Sequence, residues 1–273
     1  YAAKRRSQKS GVRTRQLPGV SPLVFSRFLL EKTAFLSLSD MGKALPSYEE
    51  IPIACRMEEV VQTEYKRIED ALVRVLQSDR RAAQKILSAY LNLLTVYPDQ
   101  PYDQKPILYP DSDVPIVEPE NMGDADTLGE KEQKTMELVK AAIHNGERAL
   151  IYTSWVRTDS QQKLKRFLTD EGYRTEILTD KIKTTDREDW VQKKLAAGMQ
   201  VLIVNPSLVE TGLDLNAFTT LVFYSMGYKL FTLRQASRRS WRINQKAPAV
   251  KVYMLYYEDT MQQKCLKLMA SKL

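Results

Sequence analysis

The chain has 273 residues, 43% of them hydrophobic and 27% charged, which is enough apolar material for one or two packed cores. A disordered tail, a disulfide-stapled miniprotein and a fibre are therefore excluded. The formal charge of +7 is compatible with an anionic partner, and two cysteines with a single histidine, His144, exclude a zinc cluster.

No apolar run approaches the roughly 18 residues of a membrane-spanning helix, and no signal segment opens the chain. The expectation is a soluble, intracellular protein with no membrane partner. Its first residue is Tyr1 rather than Met, so it is read as a piece of a longer chain.

Residues 1–20 hold six basic side chains, Lys4 to Arg15, and no acid. A mobile lead or loop and a nucleic-acid-facing arm both fit this segment. From Val61 the apolar positions Val61, Tyr65, Ile68, Leu72 and Val75 alternate steps of four and three, with Leu76 also four beyond Leu72, the stripe of an amphipathic helix. Ser78-Asp79 ends it and caps a second helix carrying Ala83, Ile86, Leu87, Tyr90, Leu91 and Leu94. Residues 96–132 then carry ten acids against Lys105 and Lys131, with six of the twelve prolines. Proline at that density breaks helices and central strands, so a linker or surface excursion is expected.

Beyond it the pattern changes. A helix from Glu130 to Asn145 closes at Gly146, and Ala149–Thr153 is a strand. Thr158-x-x-Gln161 opens a helix closed by Gly172, and Arg174–Leu178 is a second strand. Thr185-x-x-Glu188 opens another helix closed by Gly198, and Gln200–Val204 is a third strand. Leu221–Tyr224 and Val250–Tyr256 continue the series. This rhythm is that of an α/β fold, a parallel sheet with helices on both faces. The organisation expected is a basic lead or loop at 1–20, a segment with helical hairpin and acidic linker at 21–127, and the α/β domain at 128–273.

Ligands of such sheets bind beyond the carboxyl ends of the strands, and three suggestive runs lie there. On a continuous helix, Gln235, Arg239 and Arg242 share one face, and paired guanidinium groups match a phosphate. A solvated basic helix is the plain alternative. The loop Asn205 to Leu215 holds Ser207, Gly212 and Asp214, suited to a phosphate or to orienting an arginine, and equally to an ordinary strand-to-helix loop. Tyr152-Thr153-Ser154-Trp155 offers hydroxyls and an indole to a nucleic-acid backbone, or a buried tryptophan beside a hydroxyl cap.

Taken in order, these runs resemble the second RecA-like lobe of superfamily-two helicases of the Swi/Snf type. Ala149 to Ser154 is similar to motif four. Val201 to Pro206 with Gly212 to Leu215 is similar to motif five, and Gln235 to Gln245 to motif six. The sequence departs from the family where Val209 and Glu210 replace the usual double glycine, where Asn205-Pro206 replaces Ser-Thr, and where Asn244 replaces glycine.

The resemblance implies a RecA-like fold preceded by a helical subdomain, and an ATP-dependent DNA helicase or translocase that acts on duplex. In that family a phosphate-binding loop and the magnesium-holding acids belong to the first lobe, and this sequence contains neither. The fragment alone is therefore not expected to hydrolyse ATP. The expected partners are DNA and the N-terminal RecA-like lobe, and the cofactor is ATP with Mg2+ held by that lobe. The implied catalytic residues are Arg242 as arginine finger, Arg239 beside it and Gln235 placing nucleotide or water. Gly212 and Asp214 would line the nucleotide cleft, and Ser154, Trp155, Asn205 and Ser207 would hold phosphates of one strand. No metal ligand is expected here, and a bacterial or phage source would place the protein in the cytoplasm or nucleoid. Two readings stay open beside this one: a non-enzymatic module that binds nucleic acid or protein, and a small-molecule enzyme holding a phosphorylated ligand.

Overall fold

The computed structural model describes residues 2–6, 12–16, 21–34, 45–154, 159–209, 212–225, 227, 230–243 and 245–270. The chain divides into two compact units, Tyr1–Ala44 and Leu45–Leu273. In the first unit, β1 (Ala2–Arg6) pairs antiparallel with β2 (Val12–Gln16), with Arg5 opposite Arg13. The basic lead thus holds a two-stranded hairpin. It is followed by α1 (Pro22–Val24), which runs on through a wide turn at Phe25–Leu29 and a tight one at Leu30–Lys32.

The second unit opens with β3 (Ser47–Cys55), then the hairpin of α2 (Glu59–Ser78) and α3 (Arg80–Val96). The apolar stripe behaves as its spacing requires: Val61, Tyr65, Ile68, Leu72 and Val75 are buried against Ala83, Ile86, Tyr90 and Leu94. Leu76 and Leu87 are exceptions and face solvent. Asp79 caps α3, its carboxylate accepting the N–H groups of Arg81 and Ala82.

The proline-rich segment does not run free. It carries β4 (Ile107–Leu108) and β5 (Pro115–Val117) and is bonded to the hairpin. The Tyr97 hydroxyl donates to Glu120 O, Glu120 N–H donates to Glu64 Oε1 at 2.8 Å, and Arg67 donates to Glu118 O at 2.6 Å. Burial pushes the Glu64 carboxyl up, but the Arg67 fork and the Glu120 N–H outweigh it and hold it below its usual range.

Six parallel strands form the main sheet in the order β3-β10-β9-β6-β8-β7. The new members are β6 (Ala149–Tyr152), β7 (Thr175–Leu178), β8 (Val201–Val204), β9 (Thr220–Phe223) and β10 (Ala249–Tyr257). Five were expected; β3 was not, because Pro52 and the Glu49-Glu50 pair argue against a strand. It forms because it lies at the sheet edge, where a missing N–H is tolerated, and pairs with β10 over nine residues.

Both faces of the sheet are covered, as the continuous apolar strands require. One face packs Leu150, Tyr152, Leu202, Val204, Leu221 and Phe223 against α6 (Arg187–Ala196) and α7 (Leu230–Ser237). The other packs Ile151, Ile203, Val222 and Tyr224 against α4 (Glu130–His144) and α5 (Ser160–Asp170). Last, α8 (Met261–Ala270) follows β10. Gly146, Gly172 and Gly198 close their helices at φ of 75°, 87° and 87°, the conformation that selects glycine there.

The two expected capping boxes fare otherwise. Thr158 lies outside the described residues; Gln161 donates to Thr153 Oγ1 at 2.7 Å. Thr185 donates to Asp186, while Glu188 accepts from Asp214 N–H and Gln192. A tertiary partner, the Asp214 N–H, has taken the Glu188 side chain from the local motif.

Both cysteines are buried, and burial pushes the Cys55 thiol up to about 12, against the opposing pull of Lys131. An aromatic disulfide reagent at pH 8 is therefore expected to find no reactive thiol in the native protein and two after denaturation. A thiol titrating within minutes under native conditions would show that one of these packing sites is open.

Candidate functional site

The strand order reverses at β6. The chain leaves it for β7 and β8 on one side and then returns to β9 on the other, so the carboxyl ends of β8, β6 and β9 flank a topological switch point. The residues following those strands meet there. Ser154 N–H donates to Ser225 Oγ at 2.7 Å, and Ser154 Oγ donates to Ser225 O at 3.0 Å. Asn205 Nδ2 donates to Ser154 O at 3.1 Å, and Asn205 Oδ1 accepts both Ser207 N–H at 2.9 Å and Ser207 Oγ at 2.6 Å. Gly227 lies over Ser154, with room for a Cβ at 3.7 Å from its side chain.

Ser154, Asn205 and Ser207 are thus one hydrogen-bonded cluster. Both hydroxyl protons in it are given to acceptors of the chain itself. A bound anion would take them by rotation of the two Oγ–H groups, exchanging neutral acceptors for a charged one. Trp155 lies outside the described residues.

The loop after β8 is fixed from two sides. Asp214 N–H donates to Glu188 Oε2 at 2.8 Å, and its own carboxylate accepts Asn216 N–H at 3.0 Å. Arg187 Nη1 donates to Leu208 O at 2.9 Å. Gly212 is exposed with φ 74°, which a residue bearing a Cβ adopts only under strain. From the other side, Ser240 Oγ donates to Leu215 O at 3.0 Å, and Gln245 Nε2 donates to Asn216 O at 2.9 Å and Ser240 O at 2.9 Å.

These bonds correct the expected geometry of the arginine run. Gln235 lies in α7, but that helix ends at Ser237. Arg239 is in the following turn and Arg242 in the bend beyond it, so the three do not share a helical face. The helix stops because the chain is pulled off its axis. Ser240 is bonded to the loop, and Trp241 packs against Tyr48 with ring centroids 4.8 Å apart and planes tilted by 34°, while its Nε1 donates to Pro46 O at 2.8 Å.

The turn is bonded to residues that lead into β9 and β3 rather than to their carboxyl ends, while the end of α7 lies beside β6. Tyr152, the last residue of β6, is fully buried and donates its hydroxyl to Ala236 O at 3.0 Å. Burial raises its pKa, and the nearby charge of Arg239 opposes that rise. Arg242 is half-buried, and no described carboxylate pairs with it.

Glu188 is a part of this region that the sequence reading assigned only to a capping box, whereas Ser225 and Gln245 bound one of the segments in which function was expected, with no role given to either. Ser225 had one signal, its place directly after a strand, and Gln245 had its place at the end of motif six; the part played by Glu188 is visible only through its tertiary partner. Among the described residues no group of three acidic, histidine or cysteine side chains could hold a metal ion, and no helix is long and apolar enough to cross a membrane.

Residues 130–244 match the model of the helicase conserved C-terminal domain. No curated protein matches the chain by sequence. Among solved structures, the C-terminal part of the Fun30 ATPase domain is similar at 15% identity and a TM-score of 0.62, over 82% of this chain and 90% of that one. The C-terminal domain of the Sulfolobus solfataricus SWI2/SNF2 ATPase is similar at 17% identity and a TM-score of 0.57, over 83% of this chain and 86% of its own. The core of that ATPase in complex with dsDNA aligns at 19% identity and a TM-score of 0.58, with 83% of this chain covering 44% of the core. The chain therefore has the fold of the second RecA-like lobe of SWI2/SNF2-type ATPases, with a helicase C-terminal domain matched at residues 130–244.

Proposed function

We propose that the chain is the second motor lobe of an ATP-dependent DNA translocase, working with an N-terminal RecA-like lobe that holds ATP and Mg2+. The observation that carries this reading is that the segment between β8 and β9 is bonded to a cluster at each end. A hydroxyl and amide cluster sits at the switch point, and the turn bearing Arg239 and Arg242 is stapled to the neighbouring loop by Gln245 and Ser240. The dsDNA complex of the Sulfolobus ATPase core supports duplex as the partner.

In this proposal Arg242 faces the nucleotide as the arginine finger, and Arg239 adds positive charge to the same cleft. A guanidinium with no described carboxylate beside it keeps its fork for phosphate oxygens. Gln235 stands near the cleft from the last turns of α7, where it orients nucleotide or water. Gly212 and Asp214 form the loop between the two clusters, so a shift at the nucleotide reaches the DNA side. Ser154, Asn205 and Ser207 hold one strand's phosphates, contacts that position without reading sequence. The described residues fit phosphate recognition, and in this proposal metal binding belongs to the first lobe.

The test is a duplex-binding and ATPase assay of the two-lobed protein. Wild-type hydrolysis is expected to rise on adding duplex, and Asn205→Ala with Ser207→Ala to weaken duplex binding about tenfold, the worth of one hydrogen bond to a charged acceptor. Hydrolysis indifferent to duplex overturns the motor reading. Duplex binding without any hydrolysis would favour a binding module instead.

A further inference from the structure

The hydroxyl cluster is anchored to a buried ionic network on the opposite face of the sheet. Consecutive residues at the end of β9 face opposite sides: Phe223 stacks on Tyr152 at 4.6 Å in one core, and Tyr224 enters the other. The Tyr224 side chain is fully buried, and its hydroxyl donates to Glu132 Oε1 at 2.8 Å. The same oxygen takes Lys163 Nζ at 2.8 Å, and Lys131 Nζ lies 5.0 Å above the Tyr224 ring. Burial first, and Glu132 second, push the Tyr224 pKa well above 10, so the hydroxyl stays protonated and keeps donating.

The N–H groups of Tyr224 and Ser225 both reach Tyr152 O, at 3.0 and 3.3 Å. Ser225, itself fully buried, then holds Ser154 by two hydrogen bonds, and Ser154 O holds Asn205. An unbroken series of bonds therefore runs from Glu132 to Asn205.

Resting on the proposed function, we infer that Tyr224 and Ser225 are positioning residues for the phosphate grip, with Glu132 and Lys163 fixing Tyr224 for that purpose. Energetics favours this over packing alone. Four charges from Asp99, Lys131, Glu132 and Lys163 are buried here, and well-packed apolar side chains would hold the same helices at least as firmly. What the polar arrangement adds is direction. A tyrosine pinned at its hydroxyl cannot slide along the sheet, and the backbone that carries Ser225 is held with it.

The experiment uses the two-lobed protein and a duplex oligonucleotide, and reads separately the duplex concentration for half-maximal ATPase stimulation and the turnover at saturating duplex. Tyr224→Phe and Ser225→Ala are each expected to raise the half-maximal concentration about tenfold, with saturated turnover within about twofold of wild type. Tyr257→Phe is the control. Its ring lies 5.3 Å from Lys131 Nζ in the same network, but it ends β10 and is not bonded to Ser225, so the duplex response is expected to stay unchanged. Thermal midpoints of the two tyrosine variants show whether both lost similar stability. If Tyr224→Phe and Tyr257→Phe shift the half-maximal concentration equally, or neither shifts it, the positioning role is overturned while the function stands. A wild-type protein indifferent to duplex overturns both.

Discussion

Arg242→Ala is expected to lower duplex-stimulated ATP hydrolysis by the two-lobed protein about 10³-fold or more, equivalent to about 4 kcal/mol of transition-state stabilisation. The loss should fall on turnover at saturating ATP and duplex, since a finger acts on charge that develops during phosphoryl transfer rather than on ground-state binding. The fold should be indifferent. The Arg242 side chain makes no ion pair with a described carboxylate, and its backbone carbonyl still accepts Gln245 N–H at 3.0 Å in the variant. The unfolding free energy from urea titration should therefore stay within about 0.5 kcal/mol of wild type, as for other substitutions away from packed features. Arg242→Lys keeps the charge and loses the planar fork, so it should recover only part of the rate. Near-normal hydrolysis by Arg242→Ala would remove this residue from the proposed cleft.

The arginine run also shows what a sequence can and cannot say about such a site. Residue types and their order after the fourth strand of the series single out Arg239 and Arg242 in the segment between β9 and β10. The helical spacing that seemed to align them does not exist, because α7 ends at Ser237. What ends it is a set of tertiary bonds from Ser240, Trp241 and Gln245, whose partners lie between 5 and 195 residues away. No local pattern carries that information.

The same division runs through the fold. Gly146, Gly172 and Gly198 mark helix ends because a single residue type suits a single backbone conformation, and this is a local fact. The strand β3 escapes notice because its stability comes from an edge position beside β10, which sequence spacing does not reveal. The proline-rich segment is equally instructive. Its prolines do exclude helix and central strand, but they do not exclude docking, and Glu64 and Arg67 reach across to hold its backbone. Ser225 sits in an unremarkable Tyr-Ser-Met run, and its role is visible only once β6 and β9 are neighbours.

Lys131→Met is expected to destabilise the protein by about 3–5 kcal/mol at pH 8, a third or more of the stability of an ordinary domain. Lys131 is fully buried, with Nζ 2.6 Å from Asp99 Oδ1 and 2.9 Å from Gln262 Oε1. Removing it leaves the Asp99 carboxylate, 3% exposed, without its countercharge. Burial already raises the Asp99 pKa, with Lys131 the main opposing influence, so the substitution raises it further. The sign of the pH dependence follows. A carboxyl whose folded pKa exceeds its unfolded value favours the fold at low pH, and that contribution is lost as pH rises through the folded value. The deficit of Lys131→Met relative to wild type should accordingly shrink as pH falls towards 5, where Asp99 can take up a proton. Pairing it with Asp99→Leu should restore most of the lost stability at pH 8, because the unpaired charge is gone and two apolar side chains meet instead. Urea unfolding of the four proteins of this cycle at pH 5 and pH 8 measures each quantity. A cost below about 1 kcal/mol for Lys131→Met at pH 8, or one that grows on acidification, would mean that Asp99 and Lys131 do not form a dry pair between the hairpin and the sheet.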